Sequence, residues 1–216
     1  MPFPRLHLIT DKLDIARAAL DVAGPELAVQ VRVEDDVADR LAYELATRIA
    51  SLCAESGAMC LVNDRLHIAL AVGADGGHVG ALDLPVDAAR RVLGPDAVLG
   101  ATARDPKAAT AAVAAGASYL GVGPAYPTST KDGLPPPIGA AGVAAVAGAV
   151  DVPVIAIGGV TAAQVPALIE NGAYGVAVVG AIGRAPDPAA ATAAFLRALG
   201  GDPSYARNDK KGPFLA

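Results

Sequence analysis

The chain has 216 residues, of which 53% are hydrophobic and only 4% aromatic, and its formal net charge is −5. This length suits one large α/β domain, and the acidic balance excludes a broad basic face for a nucleic-acid backbone. No run of about 18 apolar residues occurs without an intervening Gly, Pro or charge, and no signal-peptide pattern opens the chain, so we expect a cytoplasmic protein that does not span a membrane.

Eight short apolar segments predict β-strands, and most do not alternate with polar residues, as expected of parallel strands covered on both faces. In chain order they are residues 5–9, 27–33, 59–62, 76–79, 97–101, 118–122, 154–157 and 174–179. Alternating strands and helices imply parallel pairing with right-handed crossovers, and eight such strands favour a closed (β/α)8 TIM barrel over residues 1–200. An open doubly wound sheet is the competing architecture, although no G-x-G-x-x-G follows the first segment.

The helical patterns lie between most of these segments. We expect Asp35 or Asp36 to cap a helix whose inner stripe carries Leu41, Leu45 and Ile49. Further patterns predict a compact helix at 65–72, a helix beginning at Asp105-Pro106, one capped by Thr161 with residues 165, 168 and 169 inward, and a last helix at 187–199. A Gly-Ala pair ends four helical segments, at 57–58, 73–74, 116–117 and 172–173, which indicates a repeated unit with glycine in the left-handed conformation. We expect residues 201–216, which are polar and interrupted by Gly and Pro, to be a tail outside the barrel.

The two cysteines, Cys53 and Cys60, lie in apolar sequence and are expected to be reduced core thiols. Two cysteines cannot by themselves form a structural zinc site. His7 and His67 are interpreted as core or surface histidines.

Polar residues collect at the carboxyl ends of the predicted strands, the rim where barrels bind ligands. They are Thr10, Asp11, Gln30, Arg32, Asn63, Asp64, Arg65, His78, Asp83, Thr102, Arg104, the loop 123–131, Gly158, Gly159 and Gly180.

Gln30 and Arg32 share one face of a strand, and an inward arginine at a barrel mouth requires an anion such as phosphate. The alternative is a structural salt bridge from Arg32 to Asp11 or Glu34.

Asp64 and Asp83 follow neighbouring strands, and paired carboxylates there suit Mg²⁺ bound together with a diphosphate. The alternative pairs Asp64 with Arg65 and makes Asp83 a helix cap.

Residues 128–131 (TSTK) suit an oxyanion-binding loop. Gly158-Gly159 before a capped helix, with Gly180 opening the next, suits a phosphate cradle.

These motifs, in this order, resemble the thiamine phosphate synthase family, including its thiazole tautomerase-like branch, over about residues 5–199. The most specific pieces are 29–32 (VQVR), 62–65 (VNDR), 78–80 (HVG) with 83–85 (DLP), 123–131 (GPAYPTSTK) and 156–161 (AIGGVT). The resemblance implies a transferase of thiamine biosynthesis. It joins hydroxymethylpyrimidine diphosphate to a thiazole phosphate and releases pyrophosphate, with Mg²⁺ as cofactor.

By the same resemblance, Asp64 and Asp83 would hold Mg²⁺. Catalytic roles would fall to Arg32, Thr102 and Lys131. The substrate-binding residues would be Gln30, Arg32, Asn63, His78, Thr102, Arg104, Thr128, Thr130, Lys131, Gly159, Val179 and Gly180. The partners implied are small phosphorylated molecules, with neither nucleic acid nor membrane, and a homo-oligomer is left open.

The chain departs from the family pattern at three places. Glu34 stands where the family usually has Lys, Thr102 and Arg104 stand for Ser and His, and Gly180 stands for Ser. We hypothesise that Arg104 replaces the cation lost at position 34. Two alternatives to the synthase remain open from sequence, namely a thiazole tautomerase-like enzyme and a non-catalytic protein that binds phosphate ligands.

Overall fold

The computed structural model describes residues 3–128, 133 and 135–200. Its eight strands are all parallel and close into a barrel in which each strand pairs with the next along the chain and β8 pairs back with β1. The predicted TIM barrel is therefore confirmed, and the open sheet is excluded. The strands are β1 Leu6–Thr10, β2 Leu27–Val31, β3 Met59–Asn63, β4 Gly76–Val79, β5 Val98–Ala103, β6 Tyr119–Val122, β7 Val154–Ile157 and β8 Gly175–Val178.

Helices follow the strands and cover the outside of the barrel. They are α1 Leu13–Ala23, α2 Asp39–Ser56, α3 Leu66–Val72, α4 Val86–Leu93, α5 Pro106–Ala114, α6 Gly139–Ala147, α7 Val165–Glu170, α8 Gly180–Gly183 and α9 Pro188–Ala198. No helix in the described part of the chain is long and apolar enough to cross a membrane.

Several helix ends form where the sequence predicts them. The Asp105 carboxylate accepts a hydrogen bond from the Ala108 N–H at 2.9 Å, with Pro106 as the first residue of α5. Thr161 opens the short turn before α7, and its N–H donates to Gln164 Oε1 at 2.8 Å. The glycines at 57, 73, 116 and 172 all have positive φ angles, as expected of residues that end helices.

The start of α2 was predicted wrongly, and its predicted stripe is right at Ile49, which is buried, and at Leu45, which packs against the core, but wrong at Leu41. Asp35 and Asp36 lie in a turn closed by the Val37 N–H donating to Glu34 O, so α2 begins only at Asp39, and its N-cap residue, Ala38, has no capping side chain. Ala42, Ala46 and Ile49 are buried on the inner face of α2. Leu41, one position before Ala42, points outward and is 59% exposed.

The core has two layers. The larger one packs the outward faces of the strands against the helices and includes Cys53 and Cys60, which are buried free thiols as predicted. The smaller one fills the barrel interior around Tyr119, which packs against Phe3 and His7 at ring-centroid distances of 5.3 and 5.2 Å. This filled floor leaves the carboxyl-terminal rim as the open end of the barrel.

Candidate active site

The barrel brings the predicted polar residues together at one rim, because parallel strands all end on the same side. The described residues of the predicted set lie near the carboxyl end of a strand or in the loop that follows it. Thr130 and Lys131 lie outside the described residues, so their predicted roles stay predictions.

Arg32 lies one residue beyond β2, and its backbone N–H donates to Thr10 O at 3.1 Å. The side chain is half-buried. Within the described part of the chain, no ion pair joins Arg32 to Asp11 or Glu34. The salt-bridge alternative is therefore not supported, and the guanidinium stays available for an anionic ligand.

Asp64 follows β3 in a left-handed backbone conformation with φ of 58°, which is unusual for a residue other than glycine. Its N–H donates to His78 O at 2.9 Å, and the Asn63 side-chain amide donates to its Oδ2. The other carboxylate oxygen, Oδ1, is buried. The neighbouring Arg65 donates to Asp39 at 2.9 Å and to Glu34 O at 3.1 Å.

Asp83 lies after β4 in an exposed loop, where its Oδ2 accepts from the Gly80 N–H at 2.7 Å. Pro85, not Asp83, immediately precedes α4, so Asp83 does not cap that helix. The backbone of Asp64 and the carboxylate of Asp83 are thus both bonded to β4 or its following residue, Asp64 through His78 O and Asp83 through the Gly80 N–H.

The donor set fits magnesium better than a metal that needs a full protein cage. The described residues contain no group of three or more His, Cys, Asp or Glu side chains able to hold a metal. Mg²⁺ is commonly bound through one or two carboxylates together with substrate phosphates and water. Asp64 and Asp83 provide such a pair of hard oxygen donors.

A hydrogen-bonded chain crosses the interior beneath this rim. The imidazole of His78 contacts Tyr119 Oη through Nδ1 and Thr102 Oγ1 through Nε2, each at 3.0 Å. Gln30 Nε2 donates to Tyr119 Oη at the long distance of 3.5 Å. Burial lowers the pKa of His78 from 6.5 to about 4, so the ring is neutral near pH 7.

Tyr119 is the site residue that the sequence reasoning missed. It begins β6 and has a relative exposure of 1%. The available signal was a lone tyrosine in an apolar strand two residues before Gly121, because aromatic bulk inside a small barrel needs missing side chains next to it, but the sequence does not show that Gly100 of β5 lies opposite.

Arg104 holds the two ends of the loop that follows β6. Its Nε donates to Gly123 O at 3.2 Å, and its Nη2 donates to Pro136 O at 2.7 Å. Thr128 lies in the same loop and is half-buried. These contacts give Arg104 a role in holding the loop, which differs from the hypothesis that it replaces the cation lost at position 34.

Gly159 after β7 allows the β6 loop to approach closely, and Gly180 after β8 leaves room for the Arg184 side chain. A Cβ on Gly159 would lie 2.3 Å from Pro127 O, and its φ of +67° also favours glycine. Gly180 begins α8, which has only four residues, and a Cβ there would lie 2.9 Å from Arg184 Nε. Val179 directly precedes this turn and packs against the interior cluster. The tight β6 and β8 loops therefore flank the mouth of the barrel.

A cleft of about 670 Å³ lies at the opposite rim, lined among others by Arg5, Asp151 and Tyr174. Its cation is already engaged, since Arg5 donates to Tyr174 O at 2.9 Å and to Leu199 O at 2.6 Å. Because the polar groups predicted from sequence converge elsewhere, this cleft is not the candidate site.

Comparison with known proteins decides the family. A family model described as thiamine monophosphate synthase matches residues 6–182. The chain belongs to the thiamine monophosphate synthase family. The predicted family is thus confirmed, and the match covers every strand of the barrel.

Similar proteins carry related names. The thiamine-phosphate synthases of Salinispora arenicola and Salinispora tropica are 69% and 67% identical over 201 residues, which is 90% of this chain and 97% of each relative. The solved structure of thiamine phosphate pyrophosphorylase from Pyrococcus furiosus superposes with a TM-score of 0.81 at 29% identity, covering 91% of this chain and 95% of that one.

Proposed function

We propose that this protein is a thiamine-phosphate synthase, a transferase that couples hydroxymethylpyrimidine diphosphate to a thiazole phosphate. In the proposed reaction the bond between the pyrimidine methylene carbon and the diphosphate oxygen breaks. The thiazole ring nitrogen then forms a bond to that carbon, giving thiamine phosphate and pyrophosphate.

The observation that carries this proposal is the half-buried cation Arg32 on the same rim as the two carboxylates Asp64 and Asp83. A diphosphate bound with a divalent cation is the ligand class that such a combination accommodates. The name of the relatives at 67–69% identity agrees with this activity and confirms the predicted enzyme class. No observation in the described residues favours the tautomerase-like alternative.

One group of residues would bind the diphosphate and its magnesium ion. Mg²⁺ held by Asp64 and Asp83 would neutralise the negative charge that builds as pyrophosphate departs. Arg32, Asn63 and Thr102 would bind and orient the diphosphate.

A second group of residues would contact the pyrimidine and the thiazole phosphate. Gln30 and His78 would face the pyrimidine, and their burial keeps water from the reacting carbon. Thr128, Gly159, Val179 and Gly180 would hold the thiazole phosphate from the loops after β6, β7 and β8. The roles of Thr130 and Lys131 rest on sequence alone.

The test is pyrophosphate release with both substrates present, measured over a range of Mg²⁺ concentrations. We expect Asp64→Asn and Asp83→Asn to lower kcat/KM at least 100-fold, because an oxyanion donor or a charge at the leaving group contributes on the order of that factor. Asp87→Asn is the matched control, since Asp87 is an exposed aspartate paired only with Arg91 on the surface of α4.

Two other outcomes would replace the proposed function, and a third would remove one part of it. Isomerisation of the thiazole substrate alone would indicate a tautomerase, and tight binding without turnover would indicate a non-catalytic binding protein. Full activity of both Asn variants would remove the metal assignment.

Arg32→Ala separates binding from stability. We expect the dissociation constant of pyrophosphate with Mg²⁺ to rise about tenfold or more, because a charged hydrogen bond is lost. The melting temperature should stay the same, because no described residue depends on that side chain for a partner. A lower melting temperature with unchanged affinity would make Arg32 structural.

We also propose that residues 1–200 form the catalytic domain, that 201–216 is a tail without catalytic role, and that the reaction occurs in the cytoplasm. The family match ends at residue 182, and Cys53 and Cys60 are free thiols, as is usual in reducing compartments. A chain ending at Gly200 should retain wild-type kcat/KM, and light scattering would give its oligomeric state.

A further inference from the structure

The hydrogen-bonded chain under the rim has a buried end and an accessible end. Gln30, Tyr119 and His78 are 4%, 1% and 8% exposed, whereas Thr102 at the far end is only half-buried. Without ligand, the hydrogens of these buried groups can bond only to one another, and their order determines whether Thr102 donates or accepts at the carboxyl-terminal rim of the barrel.

Donor counting fixes that order. Gln30 Nε2 can only donate, so Tyr119 Oη accepts from it and keeps its own hydrogen for His78 Nδ1. A neutral imidazole that accepts at Nδ1 carries its hydrogen on Nε2, and this hydrogen is donated to Thr102 Oγ1. The reverse order would leave the Tyr119 hydroxyl hydrogen with no acceptor among the described residues.

The consequence falls on Thr102. A hydroxyl group has one hydrogen to donate and two lone pairs that accept. Because the oxygen of Thr102 accepts from His78, the hydroxyl hydrogen of Thr102 is left for another acceptor. The open side of Thr102 faces the carboxyl-terminal rim of the barrel.

We infer that Tyr119 is a positioning residue: it fixes the hydrogen of His78 on Nε2, which turns the Thr102 hydroxyl into a donor for an anionic oxygen of the diphosphate substrate. This inference rests on the proposed function for the identity of the acceptor, but the proton arrangement holds without ligand.

Two interior glycines show that the barrel makes room for this arrangement. A Cβ on Gly100 would lie 2.3 Å from His78 Nδ1 and 2.4 Å from Tyr119 Oη. A Cβ on Gly121 would lie 3.0 Å from His78 Cε1. Side chains are thus absent from β5 and β6 where the two rings meet.

Tyr119→Phe tests the inference, because it removes the hydroxyl and keeps the packed ring. Tyr174→Phe is the matched control, since the Tyr174 hydroxyl also makes one hydrogen bond, to Phe3 O at 2.7 Å, at the other end of the barrel. We expect Tyr119→Phe to lower kcat/KM for the diphosphate substrate about tenfold, the effect of losing one well-oriented hydrogen bond to an anion. The control should keep wild-type kcat/KM.

A double-mutant cycle distinguishes positioning from general packing. In a Thr102→Val background, Tyr119→Phe should have no further effect on kcat/KM, because the hydroxyl it orients is already absent. If the effects of Tyr119→Phe and Thr102→Val multiply, Tyr119 does not act through Thr102 and the inference is overturned.

A ligand-free readout keeps the inference separate from the proposed function. In ¹⁵N-histidine-labelled protein at pH 7, the His78 resonances, assigned with His78→Gln, should show the hydrogen on Nε2. A hydrogen on Nδ1 overturns the inference, even if Tyr119→Phe does not fold. Absence of pyrophosphate release by the wild-type chain would contradict the proposed function alone.

Discussion

Gly100 gives the sharpest test of how the barrel interior is packed. A Cβ added there would lie 2.3 Å from both His78 Nδ1 and Tyr119 Cζ, far inside the van der Waals contact distance of about 3.5 Å. Both rings are buried, so neither can turn into solvent. Gly100→Ala must therefore displace the two rings or the strand that carries the new methyl group.

We expect Gly100→Ala to lower the free energy of unfolding by about 1–3 kcal/mol, the usual cost of overpacking. For a domain of this size that lowers the melting temperature by about 2–12 °C in thermal unfolding followed by circular dichroism. Gly148→Ala makes the same chemical change at a helix end with φ of −72°, where the new methyl meets only Ala144 O at 3.4 Å. This control should stay within about 0.5 kcal/mol of the wild type. Equal melting temperatures for the two variants would refute the packing described around Tyr119.

Glu34→Lys should lower KM for the diphosphate substrate about threefold at low ionic strength and less in salt, because a cation replaces an exposed anion at the rim. An unchanged KM at low salt would show that the side chain points away from the substrate. Arg104→Ala and Arg104→Lys should both lower kcat/KM about tenfold, because neither side chain has the planar pair of N–H groups that bonds Gly123 O and Pro136 O. Activity retained by the lysine variant would mean that the charge itself acts on substrate. Burial lowers the pKa of His7 from 6.5 to about 3, so the unfolded chain takes up a proton that the native state does not. The free energy of unfolding should therefore fall below pH 6.5, by up to about 1.4 kcal/mol per pH unit. Urea unfolding at pH 7 and 5 should show a smaller loss of this free energy for His7→Phe than for the wild type. Equal losses would contradict a neutral buried His7.

The sequence predicts the barrel well because the signals for it are local. Apolar runs ended by glycine or aspartate mark most strands, and Asp105 and Thr161 open α5 and the turn before α7 through contacts within three residues. The gathering of Arg32 and Asp64 at one rim also follows from sequence, because strand direction alone decides it.

The misses come from contacts between residues far apart in sequence. Tyr119 meets His78 across 41 residues, and no local pattern reports that a hydroxyl in one strand satisfies a ring in another. The late start of α2 has a similar origin. Asp35 and Asp36 lie in the turn at residues 34–37, and Arg65 from the loop after β3 donates to Glu34 O and Asp35 O, so these residues are held outside the helix.

The half-buried arginines differ in whether other residues of the chain accept their side-chain hydrogen bonds. Arg5 and Arg90 donate to backbone carbonyls at the closed end of the barrel, Arg65 donates to carbonyls and to a carboxylate, and Arg104 donates to two loop carbonyls. Arg32 is equally half-buried, yet no described residue accepts a side-chain hydrogen bond or ion pair from it. Desolvating a guanidinium without a partner costs stability, so a fold that satisfies the other four has no structural reason to leave this one unsatisfied. This argues for the proposal that the missing acceptor is the anionic diphosphate of the substrate.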